Sequence, residues 1–263
     1  MSTISVERVK VLVLGDSGVG KSSVVQLICS GRPAARSLAS TIGCNVEVKL
    51  HEYRQGTDQQ RTFFVEFWEI GGNTGHANAR RVFYNSVHGI VLVHDLTNSK
   101  SHDHLKMWLA DAVTRRSGGE FDAEMFADLQ VPVLVVGTKL SRARVQHRRG
   151  THIADLCGAE QIFVDSTGDG EHSSSLAPGS SNAVKLSRFF DKVSACYLVR
   201  IARFVIVYIY EDRQKWMLKT ISLFRSRKMR RLVKVDGDGE YSRQYFCSNL
   251  NDDTKGNERR DGI

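Results

Sequence analysis

Gly15-Asp16-Ser17-Gly18-Val19-Gly20-Lys21-Ser22 decides the fold of this chain. The stretch matches G-x-x-x-x-G-K-[ST] in full. An apolar run, Val9–Leu14, leads into it, and a helical stretch, Ser22–Cys29, leads out. That is the strand–loop–helix setting that a phosphate-binding loop requires. Gly15, Gly18 and Gly20 let the backbone curl so that its N–H groups, Val19's included, converge on anionic oxygens. Lys21 brings a point charge to the terminal phosphates, and the Ser22 hydroxyl can ligate Mg²⁺. Ser23 follows in the first turn of the helix, whose positive end faces the same phosphates. The competing reading is an accidental glycine-rich turn. With glycine at about 7% of average composition, a full match arises by chance in about one per cent of chains this long.

Working outward, apolar runs alternate with longer amphipathic segments as far as Val193. Asn45–His51 alternates with period two, Gln55–Gln59 is a turn, and Arg61–Trp68 returns, so this pair reads as a hairpin. Gly89–Asp95, Val131–Gly137 and Gln161–Asp165 have few polar residues and suit strands buried on both faces of a parallel sheet. Helices are expected over Ala77–Ser86, His102–Arg115, Gly150–Cys157 and Ser180–Val193, the last with Val184, Leu186, Phe189, Phe190 and Val193 as its apolar face. The expected fold is α/β: a doubly wound, mostly parallel sheet with one antiparallel hairpin strand and the phosphate site at the strand C-terminal edge.

The 263 residues carry a net charge of +8, unevenly spread. Residues 196–263 hold 15 Lys+Arg against 9 Asp+Glu, while residues 1–195 are nearly balanced at 22 against 20. Five scattered cysteines without a C-x-x-C pair argue against a disulfide framework or a zinc site and for a reducing, cytoplasmic setting. Residues 6–195 therefore read as the folded domain and 196–263 as a divergent basic extension. Its apolar run at 197–210 is interrupted by Arg200 and Arg203 and is too short to span a bilayer. A disordered tail, a basic amphipathic helix at a membrane or a partner, a nucleic-acid contact and a misread splice junction after Val193-Ser194 all stay open for it. Cys247 lies too far from the end for prenylation.

Several further blocks narrow the class: Arg8–Ser23, Phe83–Val87, Val93–Asn98, Gly137–Leu140 and Gly179–Val193. Over residues 6–193 the chain resembles Ras-superfamily small GTPases, most nearly their Rab-like group. The resemblance implies a G-domain fold, GTP and GDP as ligands with Mg²⁺, regulatory or effector proteins of small-GTPase pathways as partners, and self-association into a homodimer. It assigns no role to nucleic acid. Thr41 matches the first-switch threonine that ligates Mg²⁺ and senses the γ-phosphate; the bland alternative is an ordinary threonine at a loop–strand junction. Gly72 matches the second-switch glycine. Glu69 replaces the family's aspartate, and Asn73 its water-orienting glutamine, which implies slow hydrolysis. The base-recognition motif N-K-x-D is present as Thr138-Lys139-Leu140-Ser141. Lys139 can lay its stem along the base, but a serine hydroxyl cannot replace a bidentate carboxylate, so guanine preference should weaken. Asp165 and Ser166 fall in the family's final base-contacting loop. Two rivals to a GTP-driven switch stay open: a pseudo-GTPase interaction scaffold, and an adenine-nucleotide kinase or ATPase. His94 reads as a core-edge residue and Trp108 as packing.

Overall fold

A computed structural model describes residues 7–32, 39–73, 75, 77–113, 131–143, 152–165 and 176–225. Chain order is β1 (Glu7–Leu14), α1 (Lys21–Ser30), β2 (Cys44–Tyr53), β3 (Arg61–Ile70), α2 (Ala77–Arg80), β4 (Gly89–Asp95), α3 (Ser99–Asp103), α4 (Leu105–Val113), β5 (Val133–Thr138), α5 (His152–Cys157), β6 (Glu160–Phe163) and α6 (Ser181–Arg225). Short 3₁₀ turns at Arg81–Phe83 and Leu140–Arg142 follow α2 and β5. The six strands form one sheet in the order β2-β3-β1-β4-β5-β6. Among the described residues only the β2–β3 pair is antiparallel, in register Asn45↔Glu69 and His51↔Phe63.

The period-two geometry of a strand divides β1 between two cores. Val9, Val11 and Val13 join α1 and the start of α6 on one face. Leu12 and Leu14 join Leu105, Trp108 and Leu109 of α4 and Ile153 of α5 on the other. β4 is buried along its whole length, as a central parallel strand covered on both faces must be. This packing fixes the C-terminal ends of β1, β3, β4 and β5 in one row, and the phosphate loop lies along that row.

Element limits shift from the sequence expectations for identifiable reasons. Pro132 lacks an N–H, so β5 begins at Val133, while the Pro132 carbonyl still accepts from Ile90 N at 2.9 Å. Helix formation begins before His102 because the Asn98 side chain caps α3, accepting from Lys100 N. The expected helix at Ala77–Ser86 holds α-geometry only to Arg80; Ser86 has a positive φ of 55°. Ser180 caps α6 by accepting from Ala183 N at 3.1 Å. Leu186, Phe189, Phe190 and Val193 are buried, but Val184 is exposed. It stands two residues before Leu186, about 200° away around the helix. Tyr197 and Leu198 extend the apolar stripe instead.

The first compact unit ends at Phe204, and the second begins at Val205. Helical backbone continues to Arg225, well past Val193. Among the described residues no helix is long and apolar enough to cross a membrane. The extension beyond Arg225, Cys247 and Ser166 lie outside the described residues.

Candidate nucleotide site

Gly15 opens the loop at φ 148°, where an added Cβ would stand 2.2 Å from the Val93 carbonyl oxygen. The loop therefore rests directly on β4. Lys21 Nζ donates to the carbonyls of Gly15 at 3.0 Å and Asp16 at 2.9 Å. Lys21 is only 5% exposed. Burial pushes its pKa down to about 8; nearby Glu69 and Asp16 oppose the fall, and Arg80 adds to it. The Asp16 carboxylate is clamped from α4's side of the sheet. Trp108 Nε1 donates to it at 2.8 Å, and His104 Nδ1 lies 2.7 Å away. Trp108 is thus more than packing: its indole N–H ties the helix to the phosphate loop, and its ring also carries Arg80 at 4.3 Å. A His–Trp pair four residues apart is the sequence signal for such a clamp, but nothing local names Asp16 as its target.

Both switch segments meet the loop. Gly72 lies so close that a Cβ there would stand 2.4 Å from Ser17 N and 2.5 Å from the Asp16 carbonyl carbon. Thr41, Ser22 and Glu69 converge. Glu69 Oε1 accepts from Ser22 Oγ at 2.6 Å and from Thr41 Oγ1 at 2.9 Å, and the two hydroxyl oxygens are 3.3 Å apart. Glu69 is 1% exposed, and its Oε2 has no hydrogen-bond partner. These residues fit Mg²⁺. At Mg–O distances of about 2.1 Å, neighbouring oxygens of an octahedron lie about 3.0 Å apart. The three observed separations bracket that edge, and the buried, unpartnered carboxylate oxygen is suited to face a cation. Among the described residues no group of three His, Cys, Asp or Glu side chains is placed to hold a metal ion. One carboxylate with two hydroxyls suits a metal that completes its shell with water and substrate phosphate.

Beyond the phosphates, Thr138 Oγ1 lies 2.6 Å from the Val19 carbonyl and 3.0 Å from the His94 carbonyl, so its one proton ties the loop to β4. Lys139 adopts a left-handed backbone with φ 58°. Its Nζ reaches Asp95 Oδ2 at 2.5 Å and the Gly18 carbonyl at 3.2 Å. Leu140 starts the 3₁₀ turn that carries Ser141. Asp165 accepts from Ser141 twice, from N at 2.8 Å and from Oγ at 3.1 Å. Asn73 spends its side-chain carbonyl on Gly75 N at 3.0 Å. His94 is buried against His102 at 5.4 Å between ring centroids, and neither of its ring nitrogens has a hydrogen bond. Burial holds its pKa down at about 4, and the geometry leaves it as core. The lining of one cavity joins Gly18, Gly20, Lys21, Ser22, Ser23, Thr41, Glu69 and Gly72.

Known proteins resemble this chain over most of its length. Residues 10–140 match the family described as "Ras of Complex, Roc, domain of DAPkinase". The chain is 48% identical over 206 residues to Rab-like protein 3 of Xenopus tropicalis, covering 72% of this chain and 86% of that protein. It is 46% identical to Rab-like protein 3 of Homo sapiens, covering 72% of this chain and 85% of that protein. Small GTPase-like protein LIP2 of Arabidopsis thaliana is 34% identical over 181 residues, covering 64% of this chain and 53% of that protein. The P-loop, the five-parallel-plus-one sheet and the two switch segments define a Ras-like G domain. The chain belongs to the Ras superfamily of small GTPases, in the family of the Rab-like protein 3 proteins.

Proposed function

We propose that the protein is a Mg²⁺-dependent GTP-binding switch with slow intrinsic hydrolysis. It acts in the cytoplasm through partner proteins of small-GTPase pathways and through self-association. The observation that carries this reading is the convergence of Ser22, Thr41 and Glu69 beside a loop already in contact with Gly72. Loop amides and Lys21 would bind the phosphates, Ser22, Thr41 and Glu69 would hold Mg²⁺, and the Thr138–Leu140 turn would border the base. Bound there, Mg²⁺ would neutralise charge on the phosphate oxygens. Asn73 is turned onto its own loop, on a side chain shorter than glutamine, and supports slow water attack. That same residue favours the second reading, an interaction scaffold on a G-domain fold.

The test is binding of labelled GDP and of a non-hydrolysable GTP analogue to the full chain, with and without Mg²⁺. Binding should require Mg²⁺ and weaken at least about tenfold in Lys21→Ala, as loss of a buried charge-assisted contact implies. Equal affinity in Lys21→Ala, or no binding, would refute the switch and leave the scaffold.

A further inference from the structure

Ser141 stands where a base-reading carboxylate would be expected, and its hydroxyl alone is an ambiguous reader. A free hydroxyl both donates and accepts. It can accept from the N1–H of guanine and, by rotating, donate to the unprotonated N1 of adenine. The structure removes that freedom. Ser141 Oγ donates to Asp165 Oδ1 at 3.1 Å, and Ser141 N donates to Asp165 Oδ2 at 2.8 Å. An ionised carboxylate only accepts, so the serine proton is committed to it. Ser141 itself is exposed, whereas Asp165 is 4% exposed. The buried carboxylate thus holds the proton of a serine at the surface and leaves its oxygen to accept. The turn that carries Ser141 is tied to the phosphate loop by Thr138 on Val19 and Lys139 on Gly18.

We propose that Ser141 and Asp165 form a two-residue purine reader. Ser141 Oγ contacts the base as a fixed acceptor, and Asp165 is the positioning residue that takes its proton and lends it charge. The pair selects a purine that presents N1–H, as guanine does, and rejects adenine. This rests on the nucleotide-binding reading above. It means that loss of an acid at position 141 does not abolish guanine selectivity, because Asp165 supplies the charge through the serine.

The experiment measures dissociation constants for Mg-GDP and Mg-ADP on the full chain and on Asp165→Asn, Asp165→Glu and Ser141→Ala. The natural chain should prefer GDP by about tenfold or more, the scale of one charge-assisted hydrogen bond. Asp165→Asn should bring the two constants within about twofold by weakening GDP alone. A merely structural lesion would weaken GDP and ADP together. Asp165→Glu should restore part of the preference. Ser141→Ala changes an exposed side chain, remains informative if Asp165→Asn does not fold, and should also lose the preference. A natural chain that binds both nucleotides equally, or an Asp165→Asn variant that keeps its preference, would overturn the reader while leaving phosphate binding intact. Absence of any nucleotide binding would overturn the reading beneath it as well.

Discussion

At the scale of single residues, one methylene changes what the second switch does. Glu69 has the reach to touch both Ser22 and Thr41, so it is the hub that joins the two hydroxyls. Glu69→Gln keeps the shape and removes the charge. We expect the Mg²⁺ concentration needed to retain GDP to rise by about tenfold or more, measured as GDP release against added Mg²⁺. Lys21 provides a pH test. Burial holds its pKa at about 8, below the usual lysine value of 10.5. Its proton, and with it phosphate affinity, is therefore lost as pH rises through about 8. GDP affinity measured from pH 7 to 9.5 should fall over that window and stay flat in Lys21→Ala. Thr138→Ala removes the one proton shared by two buried carbonyls and should cost about 1–3 kcal/mol in urea unfolding. The form of the loop was legible because its spacing is local: Lys21 and Ser22 follow Gly15 by a few positions. Asp165 beside Ser141 was not, because 24 residues and a helix separate two side chains that only the β5–β6 pairing brings together.

At the scale of elements, the loop is held between α4 and the second switch. Trp108 and His104 grip Asp16 from one side, and the Gly72 backbone presses on Ser17 from another. Gly72→Ala would drive a methyl group into backbone atoms at 2.4 and 2.5 Å. We expect a stability loss of about 1–3 kcal/mol, as for other forced overpacking, together with much weaker GDP binding. Unchanged thermal unfolding would contradict this close contact. The strands and their buried character could be read from apolar runs, since a central parallel strand tolerates few polar residues. Helix limits were less legible. They depend on a cap at Asn98, a proline at 132 and the positive φ of Ser86, and the apolar face of α6 lost Val184 to helical geometry.

At the scale of the whole molecule, one buried and one half-buried imidazole link the sheet to acidity. His94 and His88 both have pKa values pushed down to about 4 by burial. His88 Nδ1 also accepts from Lys10 N at 2.9 Å, which requires a ring unprotonated at that atom. A histidine with a folded pKa below its unfolded value of 6.5 gives full stability above pH 6.5 and loses it as pH falls toward 4. Urea midpoints should therefore drop between pH 7 and 5, and the drop should shrink in His94→Leu, which discards two nitrogens that bond to nothing. The sheet also sets the distance across which a switch must act. Thr41 precedes β2 and Gly72 follows β3, both at the open end of the hairpin where Cys44 pairs with Ile70, so one γ-phosphate could engage both. The measurement that tests this most directly is amide hydrogen exchange at residues 39–43 and 69–73 in the GDP and GTP-analogue complexes of the full chain. A switch requires slower exchange at both segments in the GTP-analogue complex. Identical exchange in the two complexes would contradict it and make the fold a scaffold.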